Sequence, residues 1–207
     1  MAGASGLVGT RLLRYLMADS GCGRVVALGR RPLPVLHPKL EARLVDFAAL
    51  PALAADAAFC CLGTTMRAAG SREAFRRVDH DHVVAFAAAA RAGNASRFLL
   101  VSSVGADAGA RNFYLRVKGE AEQAVAALGF AGLDILRPGL MLGPRPERRP
   151  TEALAQRLLP LVNPLLPSRY RAIDHDVVAR AMAAALHLPP TPGRIHHYAE
   201  MRRPASP

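Results

Sequence analysis

The segment Tyr114-Leu-Arg-Val-Lys118 puts a phenol and an ammonium four positions apart. On a helix, positions i and i+4 share one face, so the two side chains point into the same space. A phenol with an ordinary pKa of about 10 transfers protons poorly at neutral pH, but a neighbouring cation favours the phenolate and lowers that value. Tyr114 beside Lys118 is therefore a candidate proton donor. Upstream, the apolar stretch Phe98 to Val101 runs into Ser102 and Ser103. Their hydroxyls would emerge at the carboxyl end of a strand, where open parallel sheets bind ligands. Neighbours on a strand face opposite ways, so which serine would donate a hydrogen bond stays open.

A second set of residues opens the chain. In MAGASGLVGT, Gly3, Gly6 and Gly9 follow the spacing G-x-x-G-x-x-G. Glycines so placed allow a tight turn, a close backbone approach to a pyrophosphate and close packing of the next helix, whose positive N-terminus receives the phosphate. An apolar stretch ending at Gly29 follows, about 20 residues on, where a dinucleotide fold reads the ribose. An acidic residue there would accept from the 2′-hydroxyl of NAD, but the chain has Arg30 and Arg31. Guanidinium forks suit a 2′-phosphate, so the expected cofactor is NADPH/NADP rather than NAD. Each feature alone is commonplace: a chance triplet in an alanine- and glycine-rich chain, a solvated basic turn, a Ser-Ser cap, a Y-x-x-x-K on an ordinary helix. Their order along one chain is not.

That order resembles the short-chain dehydrogenase/reductase superfamily, in its atypical NAD(P)-binding branch, over most of the chain. Within it, Gly29-Arg-Arg31, Val45-Asp-Phe47, Cys60-Cys-Leu-Gly-Thr-Thr65, Arg77-Val-Asp79, Ser102-Ser103, Tyr114-Leu-Arg-Val-Lys-Gly-Glu120 and Arg137-Pro-Gly139 resemble the Tat-interacting-protein oxidoreductases. The resemblance implies a Rossmann-like domain, monomeric or weakly oligomeric, with NADPH as ligand and a Ser-Tyr-Lys group placed for carbonyl reduction. Carried over by position, it implies that Gly3, Ser5, Gly6, Leu7, Val8 and Gly9 hold the pyrophosphate and that Arg30 and Arg31 hold the 2′-phosphate. Asp46 would lie by the adenine, although it also reads as a cap of the segment that follows. Leu62, Gly63 and Thr64 would close the crevice, Gly63 sitting where backbone must approach the cofactor. Pro138, Gly139 and Leu140 would flank the nicotinamide.

The expected function is an NADPH-dependent oxidoreductase. Hydride goes to a small-molecule carbonyl, Ser102 or Ser103 hydrogen-bonds the oxygen, Tyr114 supplies the proton, and Lys118 holds the ribose and biases Tyr114. Two other readings stand beside it. One is a non-catalytic, NADPH-responsive binding module whose occupancy controls a protein partner. The other is a nucleotide-sugar epimerase or dehydratase, against which the chain leaves little material after its sixth strand for a sugar-nucleotide lobe.

These residues need a scaffold, and the patterning supplies one. Short apolar runs at Arg24–Gly29, Ala42–Asp46, Ala57–Leu62, Arg97–Ser102 and Leu133–Arg137 alternate with amphipathic segments at Leu7–Ala18, Arg72–Ala92, Phe113–Leu128, Thr151–Leu161 and His175–Leu188. The alternation predicts an α/β fold, a Rossmann-like doubly wound parallel sheet with helices on both faces. Asp174 or Asp176 is the expected N-cap of the last long helix. Met141, Leu142, the proline-rich Gly143-Pro-Arg-Pro-Glu-Arg-Arg-Pro150 and the helix after it are expected to form a partly apolar lid over the substrate. One domain over residues 1–200 is expected, with a frayed tail over 201–207.

One strand is short of residues. In a Rossmann sheet the strand that delivers the glycine loop is central, yet almost nothing precedes Gly3. Met1 is expected to stand where that strand's last apolar residue belongs, with roughly five to seven residues of it upstream.

Composition bounds the rest. Hydrophobic residues are 51% and charged residues 21% of 207, and no apolar run reaches the roughly 18 to 20 residues of a membrane span. With no basic and apolar leader, the expected location is cytoplasmic. The net charge of +11 would suit nucleic acid if it were clustered, but it is carried almost wholly by scattered arginines, with lysine only at Lys39 and Lys118. No nucleic-acid partner is expected. Cys22, Cys60 and Cys61 lack metal-ligand spacing with the scattered histidines, so they read as buried thiols and no metal is expected.

Overall fold

The computed structural model describes residues 1–142 and 167–203. Its strands run parallel, β1 (Val25–Gly29), β2 (Leu40–Leu44), β3 (Ala57–Cys60), β4 (Arg97–Val101), β5 (Gly132–Leu136) and β8 (Pro192–His196), with a small parallel pair of β6 (Met141–Leu142) and β7 (Ile173–Asp174) beside them. Pairing gives β2-β1 on one side and β3-β4-β5-β8 on the other. Ala2 joins the halves by bridging in parallel to both Leu28 and Cys60. Its N–H donates to Phe59 O at 2.8 Å and its carbonyl accepts from Cys61 N at 2.9 Å, while Leu28 N donates to Met1 O at 2.8 Å. The central position of the ladder is thus held by two residues. Between the N-terminal halves of β1 and β3 lies a cavity of about 700 Å³, lined by Met1, Val25, Val26, Ala57 and Phe59 among others.

The helices are α1 (Leu7–Ala18), α2 (Met66–Ala69), α3 (Arg72–Arg76), α4 (His82–Ala92), α5 (Phe113–Ala126), α6 (His175–Ala185) and α7 (Tyr198–Arg202). Because strand residues alternate between faces, one sheet buries two cores. Leu99 and Val101 pack with Leu12 and Leu16 of α1 and Val178 and Met182 of α6. Phe98 and Leu100, their chain neighbours, pack with Val83 and Phe86 of α4 and Val125 of α5. In α1 the buried Val8, Leu12, Leu13 and Leu16 recur at helical spacing and form the stripe that meets the sheet. No helix among the described residues is long and apolar enough to cross a membrane.

Several elements differ from their expected bounds. The strand expected over Ala42–Asp46 is Leu40–Leu44, set by its register with β1, in which Val25 pairs with Leu40. The expected continuous helix over Arg72–Ala92 is interrupted by a π-helical turn at Arg77–Asp81 between α3 and α4. β8 was not anticipated, because it begins Pro192-Gly193; an edge position tolerates both residues, since a proline at its first position leaves no ladder bond unmade. Met201 and Arg202, the first two residues of the tail expected to fray, are the last two of α7, with Met201 buried. Residues 204–207, the proline-rich segment and the helix expected at Thr151–Leu161 lie outside the described residues. Asp174, not Asp176, caps α6, its carboxylate accepting from Asp176 N at 2.7 Å.

Candidate functional site

The glycine loop is built by backbone contacts that exclude side chains. Gly3 has φ +82°, and a Cβ there would lie 2.5 Å from the Cys61 carbonyl. A Cβ on Gly9 would lie 2.0 Å from the Gly3 oxygen, so the first turn of α1 rests directly on the loop. Gly6 N donates to Gly3 O at 3.0 Å and Thr10 Oγ1 to Ala4 O at 3.1 Å, which closes the turn. Gly6 is the N-cap of α1 and supplies no side-chain acceptor to it, nor does any acidic residue occupy the first turn. The positive helix end is left for an anionic ligand.

This end opens on a cavity of about 610 Å³ lined by Gly3, Ser5, Gly6, Arg30, Arg31, Leu62, Gly63 and Thr64, eight of the residues singled out above. It also takes in residues that sequence reasoning assigned no role: Arg43, Phe47, Arg77 and His82. Phe47 and His82 stack with ring centroids 5.5 Å apart at 27°. Partial burial, and Arg30 beside it, lower the pKa of the His82 imidazole. Asp46 does not line the cavity; its Oδ1 accepts from Ala48 N at 2.9 Å in a local turn. Val8 and Gly9 are buried behind the loop, and Leu7 is half-buried. A glycine loop, a basic cluster and a volume within the usual range for ligand pockets fit an extended dinucleotide.

The phenol and the ammonium of α5 are held from the opposite side. Asn112 caps the helix through Leu115 N at 3.2 Å, and Gly119 lets it lie on the loop after β4, since a Cβ there would come 2.2 Å from the Asp107 carbonyl carbon. Tyr114 is half-buried with its ring 5.5 Å from that of Phe75. Lys118 is buried, with Nζ 2.8 Å from Asp79 Oδ1. Burial alone would lower the pKa of the Lys118 ammonium, but Asp79, with Tyr114 and Cys60, more than offsets this and holds it above the ordinary lysine value. A Cβ on Gly63 would lie 3.6 Å from that Nζ, so α5 meets the cavity underneath Gly63.

Ser102 N still pairs with Leu136 O at 2.8 Å, and Val104 N with Pro138 O at 2.9 Å, tying the loop after β4 to the loop after β5. The Ser102 hydroxyl is buried without a hydrogen-bond partner among the described residues, whereas Ser103 is half-exposed and its hydroxyl makes only a long 3.4 Å contact with Val104 O. Gly139 packs against the next segment: a Cβ there would lie 2.5 Å from Arg171 O. Leu140 is exposed, its carbonyl accepting from Ile173 N at 2.9 Å. Tyr114, Lys118, the two serines and the Pro138–Leu140 turn are not among the cavity's lining residues.

The comparisons with known proteins agree with this geometry. A family model described as NAD(P)H-binding matches residues 3–189. Protein HTATIP2 of Rattus norvegicus is 39% identical over 87% of this chain and 77% of its own length. Protein fmp52, mitochondrial, of Emericella nidulans is 36% identical over 75% of this chain and 72% of its own. Among solved structures, MoeE5 in complex with UDP-glucose and NAD superposes with a TM-score of 0.70 at 20% identity, covering 97% of this chain and 78% of that one; at that identity the likeness speaks to the fold. The cytoplasmic expectation is corrected here, because the fungal relatives are named mitochondrial and a purely cytoplasmic assignment conflicts with them. The chain belongs to the NAD(P)H-binding, atypical short-chain dehydrogenase/reductase family that includes HTATIP2.

Proposed function

We propose that the chain is an oxidoreductase that uses NADPH in preference to NADH to reduce the carbonyl of a small molecule. The observation that carries this reading is the meeting at Gly63, where the loop lining the phosphate cavity lies directly over the Lys118 ammonium. Arg30 and Arg31 bind the 2′-phosphate, with Phe47 and His82 beside the adenine. Gly3, Ser5, Gly6 and the N-terminus of α1 hold the pyrophosphate, with Leu7, Val8 and Gly9 shaping the turn behind it. Leu62, Gly63 and Thr64 bring backbone against the ligand, and Pro138, Gly139 and Leu140 border its nicotinamide end. The bound cofactor supplies hydride to the carbonyl carbon.

The chain's own part is to place that carbon and manage one proton. Lys118 hydrogen-bonds the ribose and keeps a positive charge one helical turn from Tyr114. Tyr114 donates its phenolic proton to the carbonyl oxygen as charge develops there. Ser103 donates a hydrogen bond to the same oxygen, the role to which its exposure suits it better than the sealed Ser102. The ligands are the cofactor and a carbonyl compound rather than a nucleic acid, and the working unit is a monomer or weak oligomer.

Tyr114→Phe tests the reading. It should abolish NADPH oxidation across a panel of aldehydes and ketones and leave NADPH binding within about twofold, since the phenol's oxygen serves the proton and not the cofactor's phosphates. Turnover unchanged by the substitution would sink it. Tight NADPH binding by the native chain with no turnover of any carbonyl would favour the regulatory module instead.

A further inference from the structure

Asp79 lies in the single π-helical turn among the described residues, Arg77–Asp81. π-Turns widen a helix by one residue and recur at functional sites. Here the turn follows directly on α3, so that Phe75 and Asp79 both meet α5: Phe75 packs on the Tyr114 ring and Asp79 pairs with Lys118. The two carboxylate oxygens divide their work. Oδ2 accepts from Thr64 N at 2.8 Å, in the loop that lines the phosphate cavity, and Oδ1 faces Lys118 Nζ at 2.8 Å. Both side chains are almost completely removed from solvent.

We propose that Asp79 is the positioning residue of Lys118, fixing its ammonium in the charged form beneath Gly63 and tying it to the crevice loop through Thr64. The proposal deepens the carbonyl-reductase reading and rests on its assignment of Tyr114 and Lys118. Stability alone is a poor reason for such a pair, because desolvating two ions costs several kcal/mol each and a buried ion pair often contributes little net. A lysine that must act as a cation in a dry site has the opposite need. Burial drives a lysine toward its neutral form, and the groups facing Lys118 are Asp79 from the π-turn, Tyr114 one turn back on α5 and the Cys60 thiol from β3. Of these, only Asp79 carries negative charge at neutral pH in its ordinary state.

The test exploits composition. Lys39 and Lys118 are the only lysines in the chain, so lysine labelled with ¹³C at Cε gives two resonances to follow against pH, and Lys118→Met assigns them. In the native protein Lys118 should titrate above the ordinary lysine value of about 10.4. In Asp79→Asn it should titrate at least about one unit lower, as expected of a buried lysine without its counter-ion. NADPH affinity of that variant should then fall as pH rises through the lowered Lys118 titration, over a range where the native protein's stays level. A purely structural hydrogen bond to Thr64 would leave the Lys118 titration unmoved, and an unmoved titration overturns the proposal. Should Asp79→Asn not fold, the native titration alone decides, because a Lys118 titrating at or below the ordinary value also overturns it. None of these measurements needs a substrate, so failure of the carbonyl-reductase reading would appear separately, as absent turnover with the titration as expected.

Discussion

A Cβ on Gly9 would lie 2.0 Å from the carbonyl oxygen of Gly3, so α1 and the loop that feeds it are in direct backbone contact. Backbone on both sides leaves no flexible side chain to yield. Gly9→Ala should cost about 1–3 kcal/mol, as overpacking does, or roughly 2–12 °C of melting temperature in a domain of this size. It should also weaken NADPH binding by displacing the first turn of α1. Gly23→Ala is the control, since a Cβ there meets nothing within 4 Å. Equal melting temperatures for the two variants would remove the argument.

Arg30 and Arg31 line the same cavity as the glycine loop. Charge-assisted hydrogen bonds to a phosphate contribute about 1.5–3 kcal/mol each. Arg30→Ala or Arg31→Ala should therefore weaken NADPH binding by roughly 10- to 100-fold and leave NADH binding within about twofold. Fluorescence titration with both cofactors measures this. Parallel losses for both would show that the arginines do not read the 2′-phosphate.

The serines make a paired prediction. Ser103→Ala should lower kcat by about 10²–10³, the usual loss on removing one hydrogen-bond donor to a developing oxyanion, with KM for NADPH little changed. Ser102→Ala should affect kcat far less, because its hydroxyl is sealed from the solvent side. The reverse ranking, from steady-state kinetics of both variants, would reassign the donor.

Burial pushes the Cys60 thiol up from 9.0 to about 11 and raises that of Cys61, which packs on Met182 with Sγ 3.7 Å from Sδ. Both should stay protonated and inert to a thiol reagent at pH 8, so that the native chain labels once, at Cys22, which is half-buried and not buried as expected, and three times after denaturation. The sign of the linked stability follows. The folded state keeps a proton that the unfolded state releases, so the contribution is complete below about pH 9 and lost as pH rises toward 11. Melting curves across pH 8 to 11 should show that fall; rapid labelling of more than one native thiol would contradict the burial.

Much of the scaffold and part of the site could be read from the chain alone, because local rules govern them. Leu12, Leu13 and Leu16 repeat at the period of a helix, and α1 spans Leu7–Ala18 as read. The β4 run is apolar on both faces because both are covered. Gly3 must be a glycine wherever a positive φ meets a neighbouring backbone, and the arginine pair follows the strand that places it. Other features carry no local signature. Nothing between Arg72 and Ala92 marks a π-turn, since no proline or glycine interrupts the run. β8 has no local signature either, because the edge position that tolerates Pro192 and Gly193 is a property of the sheet.

Sequence by itself therefore determined what spacing and backbone conformation can encode: the α/β alternation, the glycine loop, the placement of Arg30 and Arg31 after β1, and Tyr114 and Lys118 on one helical face. Only the tertiary structure decided which partners those groups meet. It set Asp79 against Lys118, Phe47 against His82, and Ser103 rather than Ser102 toward solvent. The reason is physical: helix period and turn chemistry act between near neighbours, whereas desolvation and charge pairing depend on which segments the sheet packs together.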